Sequence, residues 1–192
     1  KRSGTPLIEV ARTALFDYWN TPSATDLLPP ERVWPFFAEH PEFLDQALGL
    51  AAQQNNGDRY ASTLELGPAL RTLATFPTIP ARWLPRVMEL ALGEGKTHRP
   101  MAQKALSTLP NIGRQVVESL THTKSEVRIE AANWLAELQY AEALPALTKA
   151  LEKESRETVR AAFLTALEGL GEDISPRLAP AILLAEAKKG LK

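Results

Sequence analysis

Apolar residues return along this chain with a helical period, and no stretch alternates with period 2 for long enough to make a strand. Residues 5–19 carry Leu7, Ile8, Ala11, Ala14, Leu15 and Tyr18, an i, i+3, i+4, i+7 stripe that predicts an amphipathic helix. Residues 20–30, rich in Pro, Ser, Thr and Asp, read as a loop. Short helices are expected over 31–39 and 41–53, the second buried through Phe43, Leu44, Ala47, Leu48 and Ala51. Asn55-Asn56-Gly57-Asp58 is a turn sequence ending in an N-cap aspartate. Beyond it the helices pair: 59–76 with 80–92, 99–109 with 112–120, 126–138 with 142–153, and 156–170 with 175–189. Ser125 and Ser155 stand at expected N-cap positions, and Gly93, Gly95 and Gly171 where helices should stop.

The pairs repeat. Val127-Arg128 returns as Val159-Arg160 with nearly the same apolar pattern behind it. Small or apolar residues follow the valine at +4, +8 and +11 in both copies: Ala131, Leu135 and Leu138, then Phe163, Leu167 and Leu170. A worn third copy lies upstream at a slightly shorter offset, as His98-Arg99 with Ala102, Leu106 and Leu109. Three second helices carry a first-turn proline, Pro85, Pro145 and Pro180, with Val87, Leu147 and Ile182 two positions on. A proline there costs little, because the N–H it lacks had no partner inside the helix. A period of roughly 30 residues in a helical pattern implies stacked helix pairs, each burying its core against its neighbours.

Composition narrows the partners. The 192 residues, 44% hydrophobic, suit one domain or one piece of an extended array. Absence of cysteine excludes disulfides, thiolate metal sites and a cysteine nucleophile. Twenty-two basic and 23 acidic residues give a net charge of −1, so no global field draws in phosphate backbones or anionic membrane. No apolar run approaches the ~18 residues a membrane span needs, and no signal-type segment is present. The chain opens Lys1-Arg2-Ser3-Gly4 and reads as a cytoplasmic piece of a longer polypeptide.

Three helical-repeat families compete at this period. Ankyrin units begin Thr-Pro-Leu-His, echoed only by Thr5-Pro6-Leu7, with Ile8 in place of His. Trp134 to Tyr140 has a tetratricopeptide flavour but puts Glu137 where Leu belongs. Val-Arg early in the first helix, small residues at the helix contact and Pro early in the second resemble HEAT-type units, in the compact form seen in phycobilin lyases. Residues 96–171 as a block, through Glu126-Val127-Arg128, Ala143-Leu144-Pro145 and Thr158-Val159-Arg160, resemble the HEAT-like segment of large bacterial proteins of the molybdate-metabolism-regulator-like family. In that family a WGR domain and a C-terminal domain of unknown function flank the repeats, so the resemblance implies a regulatory setting and an interaction role.

Candidate chemistry is sparse. Gly93-Glu94-Gly95-Lys96-Thr97 mimics the end of a phosphate-binding loop, which needs Gly, four residues, then Gly-Lys-Ser/Thr between strand and helix. Five positions before Gly95 stands Leu90, in an apolar helix, so an inter-repeat loop is the expectation. Arg99, Arg128 and Arg160 share one repeat position and read as a structural ladder, each guanidinium pairing with an acid or carbonyl of a neighbouring repeat. Trp83 and Trp134 fall on core stripes, whereas Trp34, within Val33-Trp34-Pro35-Phe36-Phe37, marks a candidate interface. His40, His98 and His122 lack metal-ligand spacing, and no nucleophile elbow is present.

The expected fold is therefore all-α, an α-α superhelix (a HEAT-like solenoid) of about five antiparallel helix pairs. Irregular helices over 1–57 would cap the array, and 58–192 would form the repeats, continuous with them. The expected function is a non-catalytic scaffold with no cofactor or metal. Its partner would be another protein or flanking domains of the same polypeptide, with no membrane role. The expected interaction face holds Arg82, Arg86, Glu89, Arg114, Glu118, Lys149, Lys153 and Lys188 on the second helices. The alternative is a nucleic-acid-binding solenoid comparable to HEAT-like DNA glycosylases, which use a basic concave face.

Overall fold

The computed structural model describes residues 4–16, 22–52, 64–93 and 95–178. Among these, every regular element is helical, and the chain gathers into two compact units, residues 1–110 and 111–192. The expected contributions of Tyr18, Trp19, Asn55-Asn56-Gly57-Asp58, Pro180, Ile182 and Lys188 lie outside the described residues, as does the helix expected beyond residue 178.

The first unit contains α1 (Leu7–Leu15), α2 (Ala24–Leu27), α3 (Pro30–Glu39), α4 (Pro41–Ala47), α5 (Leu66–Leu73), α6 (Leu84–Leu92) and α7 (Arg99–Leu106). Helix α1 packs on α4 and α5, and α6 packs along α7. Ala11, Leu15, Leu44, Leu70, Val87, Ala102 and Leu106 are sealed in the core. Trp83 is buried with its indole N–H donating to Asp45 Oδ1 at 2.8 Å, and Phe76 meets its ring edge-on at 5.6 Å. The stretch 20–30, expected as a loop, instead contains α2. Ser23 Oγ accepts from the Thr25 N–H at 3.0 Å, while Asp26 Oδ2 accepts from the Ser23 N–H at 2.9 Å, a reciprocal cap that holds one helical turn.

The second unit contains α8 (Ile112–Glu118), a 3₁₀ turn Ser119–Thr121, α9 (Ser125–Glu137), a second 3₁₀ turn Ala141–Ala143, α10 (Leu144–Lys153) and α11 (Glu157–Gly169). Helix α9 lies against α11 and α8, and α10 against α11. The two first helices end alike. Gln139 (φ 51°) and Gly171 (φ 90°), spaced along the chain as Val127 is from Val159, take the left-handed conformation that closes a helix. After α9 the N–H groups of Gln139 and Tyr140 reach Ala136 O (3.0 Å) and Leu135 O (3.1 Å). After α11 those of Gly171 and Glu172 reach Glu168 O (2.9 Å) and Leu167 O (3.0 Å). Gln139 occupies this strained position without glycine's freedom, and its Nε2 donates to Ala136 O at 2.7 Å and across to Gly169 O of α11 at 3.3 Å.

Burial repeats with the sequence. Ala102 and Leu106, Ala131 and Leu135, and Phe163 and Leu167 are all fully buried at matching positions of α7, α9 and α11. Residues 81–90 and 141–150 share the same order of exposed, half-buried and buried positions, with Pro85 and Pro145 in the first turns of α6 and α10. Ser125 and Ser155 are not the N-caps expected: Lys124 and Arg156 hold those positions, with no side-chain cap of their own. Glu154 Oε1 instead holds the turn that leads into α11, accepting from the N–H groups of Ser155 (3.0 Å) and Arg156 (2.9 Å). Ser125 Oγ accepts from Arg156 Nη1 at 2.7 Å.

Each arginine at the shared repeat position reaches the end of the second helix before it. Arg99 donates from Nε and Nη2 to Gly93 O, at 3.2 and 2.6 Å, where α6 ends. Arg128 Nη1 donates to His122 O (2.7 Å) and Thr123 O (3.1 Å), just past the first 3₁₀ turn. Arg160 Nη1 donates to Leu151 O (3.0 Å) and Glu154 O (3.2 Å) at the end of α10. Helix C-termini leave carbonyls without intrahelical partners and carry partial negative charge, so a guanidinium suits them on both counts. Arg128 Nε also pairs with Glu154 Oε2 at 2.7 Å, both side chains nearly buried at 12% and 8% exposure. Glu154 thus binds α9 through Oε2, the turn before α11 through Oε1 and Arg160 through its own carbonyl.

Burial works to raise the Glu154 pKa, but the Arg156 N–H, Arg128 and the Ser155 N–H outweigh it and hold the carboxyl below its ordinary value. A carboxyl lowered on folding adds stability above its unfolded pKa and loses it as pH falls through the folded one. Glu154→Gln is therefore expected to cost about 2 kcal/mol at pH 7, with the gap from wild type closing as pH drops below 4.5. Arg128→Ala should destabilise by a similar ~2 kcal/mol, while exposed Lys149→Ala stays within ~0.5 kcal/mol. Urea titrations by circular dichroism between pH 7 and pH 3 measure all three.

Close packing at Gly113 yields a second expectation. A Cβ there would sit 2.6 Å from the Tyr140 ring. Gly113→Ala gains up to ~1 kcal/mol of helix propensity but overpacks by about 1–3 kcal/mol, so its urea midpoint should fall. An unchanged or higher midpoint means that Tyr140 yields freely.

A candidate interaction groove

Between α8 with its following 3₁₀ turn and α10, the second unit opens a groove of about 600 Å³. Its size lies within the range of sites that bind small ligands or clusters of side chains. Val117 and Leu120 line one wall and Ala146 and Ala150 the other, giving an apolar floor. Leu120 is buried, and Val117, Ala146 and Ala150 are half-buried, so the floor is partly open to a partner. At one end the Arg128–Glu154 pair closes the groove with its charges matched. Thr121 and His122 stand at the rim, where His122 Nδ1 accepts from the Lys124 N–H at 3.1 Å.

Three residues of the expected interaction face meet here: Glu118, Lys149 and Lys153. All are exposed. Lys149 and Lys153 are four positions apart on α10 and therefore on one side of it, while Glu118 faces from α8. Among the described residues, neither lysine has a hydrogen-bond or ion-pair partner. The floor residues were not singled out from the sequence. Their signal was the pair Ala146 and Ala150, small residues i, i+4 beside the two lysines.

The other members of the expected face stand apart. Arg114 is exposed on α8 and does not line the groove. Arg82 pairs with Asp45 and lies over the Trp83 ring at 5.6 Å, and Arg86 Nε donates to Leu48 O at 3.1 Å while Nη1 meets Glu89 at 2.7 Å. These contacts lie within the first unit, and Arg86 closes the end of α4 as the ladder arginines close α6 and α10. Trp34 is half-buried against Phe76 at 5.9 Å, and Trp134 is core. In the glycine-containing stretch 93–97, Gly93 closes α6 and its carbonyl is held by Arg99. Among the described residues no group of three or more His, Cys, Asp or Glu is placed to hold a metal. Among them, too, no helix is long and apolar enough to cross a membrane.

No curated protein and no solved structure matches the chain. Residues 113–186 match the family model of HEAT repeats, a span that begins in α8 and takes in α9, α10 and α11. The paired helices, the recurrence of their caps at the repeat spacing and this match agree, and the matched segment is HEAT-like.

Proposed function

We propose that the chain is a non-catalytic interaction scaffold that needs no cofactor and works in the cytoplasm within a larger bacterial polypeptide. The WGR-associated, molybdate-metabolism-regulator-like proteins that residues 96–171 resemble would provide that setting. Stacked helical repeats commonly serve as extended binding surfaces. The observation that carries the reading is the groove beside α10, where an apolar floor runs between two lysines and a glutamate that are all exposed. Protein interfaces combine an apolar core with a mixed polar rim in this way, whereas a nucleic-acid face concentrates cations. Glu118 on the facing wall opposes a phosphate backbone.

Fluorescence anisotropy with a labelled DNA duplex and a labelled single strand, at low and physiological salt, separates the two classes. Binding at physiological salt is expected to be weaker than the usual non-specific ~10⁻⁴–10⁻⁶ M. Micromolar binding with a steep salt slope would move the chain to the nucleic-acid class.

A further inference from the structure

We propose that the groove takes an acidic amphipathic helix from a protein partner, with its carboxylates on Lys149 and Lys153 and its apolar stripe on Val117, Ala146 and Ala150. The proposal rests on the scaffold reading and names its occupant. Lys149 and Lys153 project one helical turn apart, and carboxylates at i, i+4 on a docked helix repeat that spacing of about 5–6 Å. Both ammonium groups are exposed and unpaired among the described residues, so a carboxylate displaces no internal partner.

The remaining charges set the orientation. Arg128, the other cation in the wall, is already held by Glu154 and by two carbonyls, so the anion-binding side is the α10 side. Glu118 on the α8 side is exposed and without a side-chain partner among the described residues, and it selects a basic or neutral residue opposite. Between them Ala146 and Ala150, half-buried and short, leave a shallow track along which an apolar stripe can come close to the α10 backbone. A helix with glutamates on one flank, a lysine on the other and alanine and leucine between matches all three features.

The test uses a fluorescein-labelled synthetic helix of that design and a counterpart whose flanking charges are reversed, titrated with the full chain by anisotropy. The acidic peptide should bind the wild-type chain at least tenfold more tightly than its charge-reversed counterpart, by a margin that shrinks with added salt. The double variant Lys149→Glu, Lys153→Glu should reverse this preference. The control Lys96→Glu, Lys104→Glu, which changes net charge equally at exposed sites in the first unit, should keep it. Circular dichroism confirms that both variants fold. Equal binding of the two peptides to wild type, indifference to the Lys149 and Lys153 changes, or no binding of the acidic peptide would overturn the assignment. Preference for the reversed peptide would also overturn it, while leaving the scaffold reading to the nucleic-acid measurement.

Discussion

The carbonyls at the end of each second helix set the terms for this fold. A chain of short helices joined by tight turns makes many helix ends, and every end exposes acceptors that the helix itself cannot satisfy. Here an arginine at the start of the next helix satisfies them: Arg99 on Gly93 O, Arg128 on His122 O and Thr123 O, and Arg160 on Leu151 O and Glu154 O. The same contact constrains how each helix follows the one before it, because the guanidinium is rigid and planar. At Glu154 two of these contacts converge, and the carboxylate adds the N–H groups of Ser155 and Arg156 in the turn before α11. Apolar burial supplies most of the driving force through Leu135, Leu147, Phe163 and Leu167, but it is not directional. The polar clamp gives the helix pairs their register.

This division of labour separates the cations by role. The ladder arginines, with forked donors, engage carbonyls and carboxylates, whereas the groove beside α10 presents lysines, whose single ammonium stays hydrated until a partner arrives. Arg82 and Arg86 follow the arginine pattern at α4, which explains why two cations expected to face a partner are engaged inside the first unit. The surface open to recognition is thereby narrowed to second-helix positions such as Glu118, Lys149 and Lys153, whose chemistry no internal helix end requires.

The helical class and the repeat were legible because a 3.6-residue stripe and a recurring Val-Arg pair are local signals. The residues at +4 and +8 in the two clear copies, Ala131, Leu135, Phe163 and Leu167, are buried as their spacing requires. Helix ends were harder. Ser125 and Ser155 look like caps, but the carboxylate of Glu154 holds the turn into α11, and it also pairs with Arg128, a partner far away in the chain that no local pattern reveals. The turn α2 was readable after all, since Ser23 and Asp26 have capping-box spacing, hidden by the prolines around them. Gln139 gave no warning of its left-handed backbone; only alignment with Gly171 at the repeat offset exposes it. The groove depends on α10 lying against the 3₁₀ turn that follows α8, although the whole of α9 separates them in the chain, so single-helix periodicity could mark Lys149 and Lys153 as exposed but not show what stands opposite.

Coupling between Arg128 and Glu154 is the most direct measure of whether polar clamps hold the pairs in register. A double-mutant cycle of Arg128→Ala and Glu154→Gln, followed by urea unfolding at pH 7, isolates the interaction from the cost of each substitution alone. A coupling of about 1 kcal/mol or more is expected for two nearly buried groups in direct contact. Additivity within the ~0.3–0.5 kcal/mol found for independent sites would contradict the clamp and leave apolar packing alone to set the register.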